Sequence, residues 1–445
     1  MLDLLAARSQ MAMSLGFHII FAAIGIALPV MMLAAEWRWM RTGDETALAL
    51  AQRWAKGSAI LFAVGAVSGT VLSFELGLLW PEFMAWAGPI IGLPFSLEGF
   101  AFFTEAIFLG IYLYGWHRVS PRAHFAAGIV VAVSGAASAV FVVTINAWMN
   151  TPTGFRLVDG QPVDIDPIAA MFNPSALQQV IHMLLAAYAA TGLAVAGVHA
   201  RLLLKDGTNV FHRRAFTIAF TVGAVAAVLQ PVSGDLITRA VARNQPVKLA
   251  AAEAHFHTAA AAPFRLGGWP DVDTQTVPYA LEIPAGLSLL LFYDPDAVVT
   301  GLDAVPRDEW PPVLIVHLAF QLMVACGLAM AAVSLWGAWR WWRRGAVWGS
   351  RAFLRTVAAV TPLGFVAIEA GWVVTEVGRQ PWIISGVMRT AEAVTPMPGL
   401  IVPFITFTTL YLVLAGVVVV ALRRHVAATP GADRRDERRT GRADA

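Results

Sequence analysis

The chain is poor in cysteine and in charge. Cys326 is its only cysteine, and charged residues make up 13% of 445 positions. One cysteine excludes an internal disulfide and leaves no thiolate set for an iron–sulfur cluster. Soluble domains carry about 25% charged residues, so the deficit argues against a soluble fold. No P-loop, GxGxxG or CxxCH occurs, which removes support for ATP-driven transport and for c-type haem attachment. A net charge of +2 carries no signal for nucleic acid, and no internal repeat is visible.

What is abundant is apolar length. Hydrophobic residues make up 58%, with 16 Trp. A membrane-spanning helix needs about 20 apolar residues. Nine stretches qualify, roughly 11–35, 57–79, 93–116, 125–149, 177–200, 215–237, 313–336, 353–377 and 400–422. This predicts an all-α integral membrane protein with one bundle over 1–422. The first stretch is too long for a signal peptide, and its flank has Arg8 set against Asp3. With the N-terminus outside, 22 of the 31 Lys and Arg fall in inside segments. That bias orients the chain with a basic inside tail over 423–445 that can touch anionic lipid.

Of the ionisable residues inside the apolar stretches, five are the first site candidates: His18, Glu98, Glu105, His182 and Glu376. A charge at mid-bilayer costs about 2.5–3.5 kcal/mol even on lenient scales, so such groups face a protein interior and handle ions, protons or cofactors. Glu98 and Glu105 are seven residues apart, hence on one helix face about 10.5 Å apart along the axis. Stacked carboxyls suit a proton relay. Glu369 and Glu376 repeat that spacing with Trp372 between them, before GRQPW, where Pro381 is expected to stop the helix and Arg379 stands at the membrane edge. His182 opens the fifth stretch and reads as an axial ligand, whereas His199 at its far end reads as interfacial. His18, a lone histidine on an apolar helix, fits a ligand or a hydrogen-bonded core residue. Met323 is packing unless it partners a histidine on haem iron. Cys326 reads as a small apolar residue.

Residues 238–312 form the one long hydrophilic segment, expected outside. VKLAAAEAHFHT reads as helical, with Lys248 and Glu253 close enough to flank one ligand. His255 and His257 read as surface histidines rather than a metal pair. These features fit a redox protein or a proton-coupled transporter, and composition does not separate the two.

GWVVTEVGRQPW, Gly371 to Trp382, resembles subunit I of the cytochrome bd quinol oxidases. In the same order come FHIIFAAIGIALPVMM, GTVLSFELGLLWPEF, LEGFAFFTEAIFLG, NAWMNTPTGF, the helix opened by His182, VKLAAAEAHFHT and FQLMVACG. The resemblance covers about residues 8 to 420. It implies a nine-helix catalytic subunit that oxidises ubiquinol or menaquinol at the outer side and reduces O2 to water. It implies two haems b and a haem d, or a third haem b. His182 and Met323 match the low-spin ligands, while His18, Glu376 and Glu98 match the high-spin set without an assignment to each haem. Trp372 matches the electron route between haems, and Arg379 a propionate counter-charge. Lys248 and Glu253 match the quinol pair of a short quinol loop, and Glu105 the proton-path carboxylate. A proton gradient without pumping follows if protons for water enter from inside while quinol protons leave outside. The implied partners are subunit II, a small single-helix accessory subunit and membrane lipid. The implied location is the bacterial cytoplasmic membrane, N-terminus periplasmic and C-terminus cytoplasmic.

Two departures from the family pattern stand out. Gln321 replaces an Arg two residues before Met323, and the Glu98–Glu105 spacing is one residue shorter than in some members. A b-haem-only, cyanide-insensitive oxidase is the alternative within the family. A quinol-binding electron carrier and a haem-free proton-coupled transporter are the alternatives outside it.

Overall fold

The computed structural model describes residues 2–427, so most of the basic tail lies outside the described residues. Four long helices come first: α1 (Leu2–Thr42), α2 (Glu45–Leu79), α3 (Pro81–Tyr114) and α4 (Pro121–Asn150). A short α5 (Pro167–Met171) precedes α6 (Ala176–Lys205) and α7 (Val210–Asn244). The long hydrophilic segment holds α8 (Pro246–Ala252) and α9 (Gly286–Phe292). Then follow α10 (Val313–Arg344), α11 (Arg351–Ala359), α12 (Leu363–Val377), α13 (Thr390–Ala393) and α14 (Ile401–Ala427). Among the described residues nine spans are long and apolar enough to cross a membrane, α11 and α12 together forming the eighth.

Local chemistry sets the boundaries. Pro81, Pro121 and Pro246 occupy first-turn positions, where no N–H is needed. Asp44, Ser120, Asn209 and Ser350 cap helix starts by accepting backbone N–H bonds. The eighth span is two helices rather than the single one expected over 353–377. The chain turns at Val360–Pro362, where Pro362 cannot continue the α11 ladder. α12 likewise ends at Val377, ahead of Pro381. The sixth span runs on to Asn244, past the expected end near 237.

One core cluster joins Met31, Trp54, Leu193, Phe216, Phe220 and Phe353. A second holds Phe83, Trp86, Ile90 and Trp148. Glycines set the closest helix approach. A Cβ on Gly192 of α6 would stand 2.5 Å from the Gly223 backbone of α7, the small-residue contact expected between membrane helices.

The connections between spans carry short two-stranded sheets. β1 (Arg156–Val158) pairs with β2 (Gln161–Val163), β3 (Ala259–Ala260) with β6 (Val298–Val299), β4 (Phe264–Leu266) with β5 (Leu281–Ile283), and β7 (Trp382–Ile384) with β8 (Met388–Arg389), all antiparallel. The expected helix over VKLAAAEAHFHT stops at Ala252, and the chain then turns into β3.

Candidate functional site

His182 on α6 and Met323 on α10 face one cavity of about 360 Å³, which Gln230, Lys248, Glu253 and Trp372 also line. Gly371 of α12 makes room for the methionine: a Cβ there would stand 3.1 Å from Met323 Sδ. The tautomer of His182 follows from its neighbours. Ser233 donates its one hydroxyl proton to Gln230 O at 2.9 Å. His182 Nδ1, 3.0 Å from Ser233 Oγ, must therefore be the donor in that contact. Nε2 is left with its lone pair and accepts from Gln230 Nε2 at 3.2 Å.

His18 on α1 repeats the device. Ser68 of α2 donates to Val64 O at 2.9 Å and accepts from His18 Nδ1 at 3.0 Å, again leaving Nε2 as the basic nitrogen. The ring lies over Gly69, whose added Cβ would be 2.9 Å from His18 Cε1. A second-layer partner that fixes the tautomer is the usual setting of a metal-ligating histidine. Ser68 and Ser233 were not singled out from sequence, because a helical serine bonded to its own helix carries no distinctive pattern.

The α3 carboxyls both face α4. Ser138 donates to Glu98 Oε1 at 3.0 Å. Glu105 is buried against Gly135, whose Cβ would stand 3.2 Å from Oε2. Glu376 of α12 accepts from Asn146 Nδ2 of α4 and, at 2.5 Å, from Arg379. Arg379 is buried, and its Nε and Nη1 find no hydrogen-bond partner among the described residues. Glu369 reaches α1: a Cβ on Gly16, two residues before His18, would be 3.1 Å from Glu369 Oε2. His18, Glu98, Glu105 and Glu376 line neither this cavity nor the one beside it.

That adjoining cavity, about 170 Å³, is lined by Asn150, Lys248, Arg379 and Gln380. Lys248 borders both and donates to Asn150 Oδ1. Burial and the nearby Arg379 hold its ammonium well below the usual lysine range, against the opposing pull of Glu376. Glu253 is 1% exposed with neither carboxylate oxygen hydrogen-bonded among the described residues. Burial pushes its carboxyl up to about 8, with Arg265 acting the other way.

Other expectations are corrected. His255 is buried and its Nε2 lies 3.3 Å from Val299 O, so only His257 is a surface histidine. His199 is buried, with its Nδ1 3.1 Å from that of His212 across the α6–α7 turn. Gln321 bonds the long hydrophilic segment, donating to Arg265 O at 3.1 Å and accepting from Gly267 N at 3.2 Å. Two buried carboxylates escaped the sequence reading. Glu75 accepts from Gln10 and Ser14, and Glu36 lies 2.7 Å from His124. Glu36 follows the first apolar stretch beside Arg38 and Arg41, whereas Glu75 stands alone in the stretch 57–79 and that signal could have found it. Among the described residues no cluster of three or more His, Cys, Asp or Glu is poised for a metal ion; the donors stand singly.

Comparison with known proteins gives the family. The family model for cytochrome bd terminal oxidase subunit I matches residues 6–430. The bd oxidase structure from Geobacillus thermodenitrificans superposes with TM-score 0.90 at 41% identity, covering 96% of this chain and 99% of that one. A Bacillus subtilis protein provisionally named a cytochrome bd menaquinol oxidase subunit I is 39% identical over 94% of this chain and 96% of its own. A second from that organism, cytochrome bd ubiquinol oxidase subunit 1, is 30% identical over 96% of this chain and 94% of its own. A match over nearly the whole length, in sequence and in fold, places the chain in the cytochrome bd terminal oxidase subunit I family.

Proposed function

We propose that the chain is the catalytic subunit of a membrane quinol:O2 oxidoreductase, working with a subunit II. The observation that carries this reading is the shared cavity. It sets a soft sulfur and a basic imidazole nitrogen, Met323 and His182, beside Lys248 and Glu253. The donor chemistry fits haem. A porphyrin brings four nitrogens of its own and needs one or two protein donors, and His with Met is a low-spin pair. His182 and Met323 would hold one haem b; His18, Glu98 and Glu376 would serve two high-spin haems, of which one is haem d or a third haem b. Bound haem supplies one-electron redox chemistry and an iron position for O2.

The protein groups do the rest. Quinol loses two protons and two electrons on becoming quinone. Glu253, as carboxylate, accepts a proton, and Lys248 orients the oxygen that carries it. Trp372, which lines the same cavity, would carry electrons between haems. The unpartnered Arg379 nitrogens suit a carboxylate such as a haem propionate. Glu105 and Glu98 offer a two-step carboxyl ladder along α3. Two quinols supply four electrons and release four protons outside, and those electrons with four protons taken from inside convert O2 to two waters, which separates charge without a pump. We place the N-terminus in the periplasm, and a single-helix accessory subunit and lipid against the apolar exterior. The haem-bearing bundle is 1–422, including the quinol loop 238–312, and 423–445 is a basic tail.

The test is a dithionite-reduced minus air-oxidised spectrum of the purified complex, with CO added, beside quinol-driven O2 uptake. A CO-sensitive far-red chlorin band with O2 uptake is the expected result. CO-sensitive b bands alone select the b-haem-only oxidase. Haem without O2 uptake selects an electron carrier, and folded protein without haem returns the carboxylates to a transporter.

A further inference from the structure

The helix α9, GLSLLLF, carries no charge, and one side of it is fixed. Leu287 and Leu291 are buried with Leu249 of α8, Ala262 and Val299, and Val241 and Ala242 of α7 pack alongside. Ser288 accepts from Ala262 N at 2.9 Å and donates to Ala297 O at 2.7 Å. The start is equally tight: a Cβ on Gly286 would stand 2.9 Å from Phe264 Cβ. The other side is bare. Leu289 is 51% exposed and Leu290 41%, with Phe292 and Tyr293 exposed beside them. Held out in water, these side chains forfeit the burial that favours an apolar group.

The neighbouring span gives the depth of this face. Val225, Leu229, Val232 and Leu236 form an exposed apolar stripe on α7 at helical spacing. A span needs about 20 apolar residues, and counted from Ala215, just past Arg213 and Arg214, it ends near Asp235. α9 packs on Val241 and Ala242, about 10 Å further along the helix, which is the depth of the headgroup layer. Arg239 stands one turn beyond Leu236 on the stripe. It pairs with Asp235 at 2.9 Å, and its guanidinium lies 3.6 Å over the Tyr293 ring. Arginine and tyrosine at the edge of an apolar belt are interfacial anchors. The bare side of α9 thus continues the apolar stripe of α7 into the interface. Its far shoulder, Leu290 and Leu291, lines the cavity that Lys248 and Glu253 also line.

We propose that α9 is seated in the lipid leaflet on its side of the membrane and is the sill over which quinol passes from the bilayer to Lys248 and Glu253. This deepens the quinol-site reading and rests on it. The occupant of the bare face is acyl chain rather than headgroup. α9 offers no cation, and Asp294 and Asp296, which follow it, repel anionic lipid. The isoprenoid tail of a quinol has the chemistry of an acyl chain, so a face wetted by lipid admits the tail while the polar ring moves past Leu290 into the cavity. Such a seat is hydrophobic and does not depend on salt.

The test uses the whole complex in nanodiscs. Leu289→Cys is labelled with a small fluorophore. The unsubstituted complex gives the labelling background, and Leu157→Cys on β1 is the reference away from α9. Nitroxide lipids carry the quencher either near the headgroup or at the chain end. The Leu289 label should be quenched most by the nitroxide near the headgroup, equally at low and high salt, with the reference spared. A label that neither lipid quenches overturns the proposal, because the face then meets water or a partner subunit. Leu289→Glu, its folding checked by the haem spectrum, should raise KM about tenfold for a long-tailed quinol, the effect of about 1.4 kcal/mol. A short-tailed, water-soluble quinol should keep its KM and kcat. Wild-type KM for both quinols, or an equal rise for both, overturns the sill. Glu253→Gln separates the two readings. If it leaves turnover of both quinols untouched, the quinol-site reading fails; if turnover falls while Leu289→Glu treats both quinols alike, the sill alone fails.

Discussion

Glu253 can act as a base only when ionised, and burial holds its carboxyl up at about 8. Below that pH it already carries a proton and cannot take one from quinol. Turnover should therefore rise with pH through about 8. Glu253→Gln should lower kcat by about 10²–10⁴-fold and flatten that rise with the haem spectrum unchanged, read by O2 uptake; an unaltered kcat would remove the residue from proton transfer. His182→Ala should delete the low-spin haem band alone, since His18 has its own serine and its own helix pair; retention of that band would end the ligand assignment. His18, His182, Glu98, Glu105 and Glu376 were legible because lipid makes each of them costly. Ser68 and Ser233 were not, since their roles depend on which carbonyl lies opposite, and no spacing in the chain records that.

The α6–α7 pair sets where His182 stands. The helices touch backbone to backbone at Gly192 and Gly223, and a Cβ on Gly223 would lie 2.6 Å from Leu193 N. Gly223→Val should force the helices apart, costing about 1–3 kcal/mol by overpacking. It should also separate His182 from Ser233 and Gln230, so the low-spin band should shift along with the fall in thermal midpoint. A shifted midpoint with an unmoved band would mean that the contact is structural alone. The nine spans were legible as apolar runs. Their ends were less so: α7 extends to Asn244 and the eighth span breaks at 360–362, because capping and packing, not hydropathy, decide where a helix stops.

Across the whole molecule, large apolar residues such as Phe74, Phe100, Phe103 and Val402 remain exposed on the spans, which suits lipid or a partner helix. The Lys and Arg bias predicts which ends face inward, and Cys326 is buried, so introduced cysteines report on a quiet background. Leu157→Cys should react with an impermeant maleimide in intact cells, and Gly207→Cys only after lysis. The reverse pattern would invert the proposed orientation and with it the direction of proton uptake.

The sequence by itself determined the bilayer setting, the number of spans and the short set of intramembrane acids and histidines. Each of these follows from the cost of placing one residue type in hydrocarbon, a property of the residue and its near neighbours. Only the tertiary structure decided that His182, Met323, Lys248 and Glu253 share a cavity, that serines fix both candidate ligand tautomers, and that Gln321 holds the long hydrophilic segment. Those are contacts between distant parts of the chain, where hydrogen-bond direction and helix approach are set by packing.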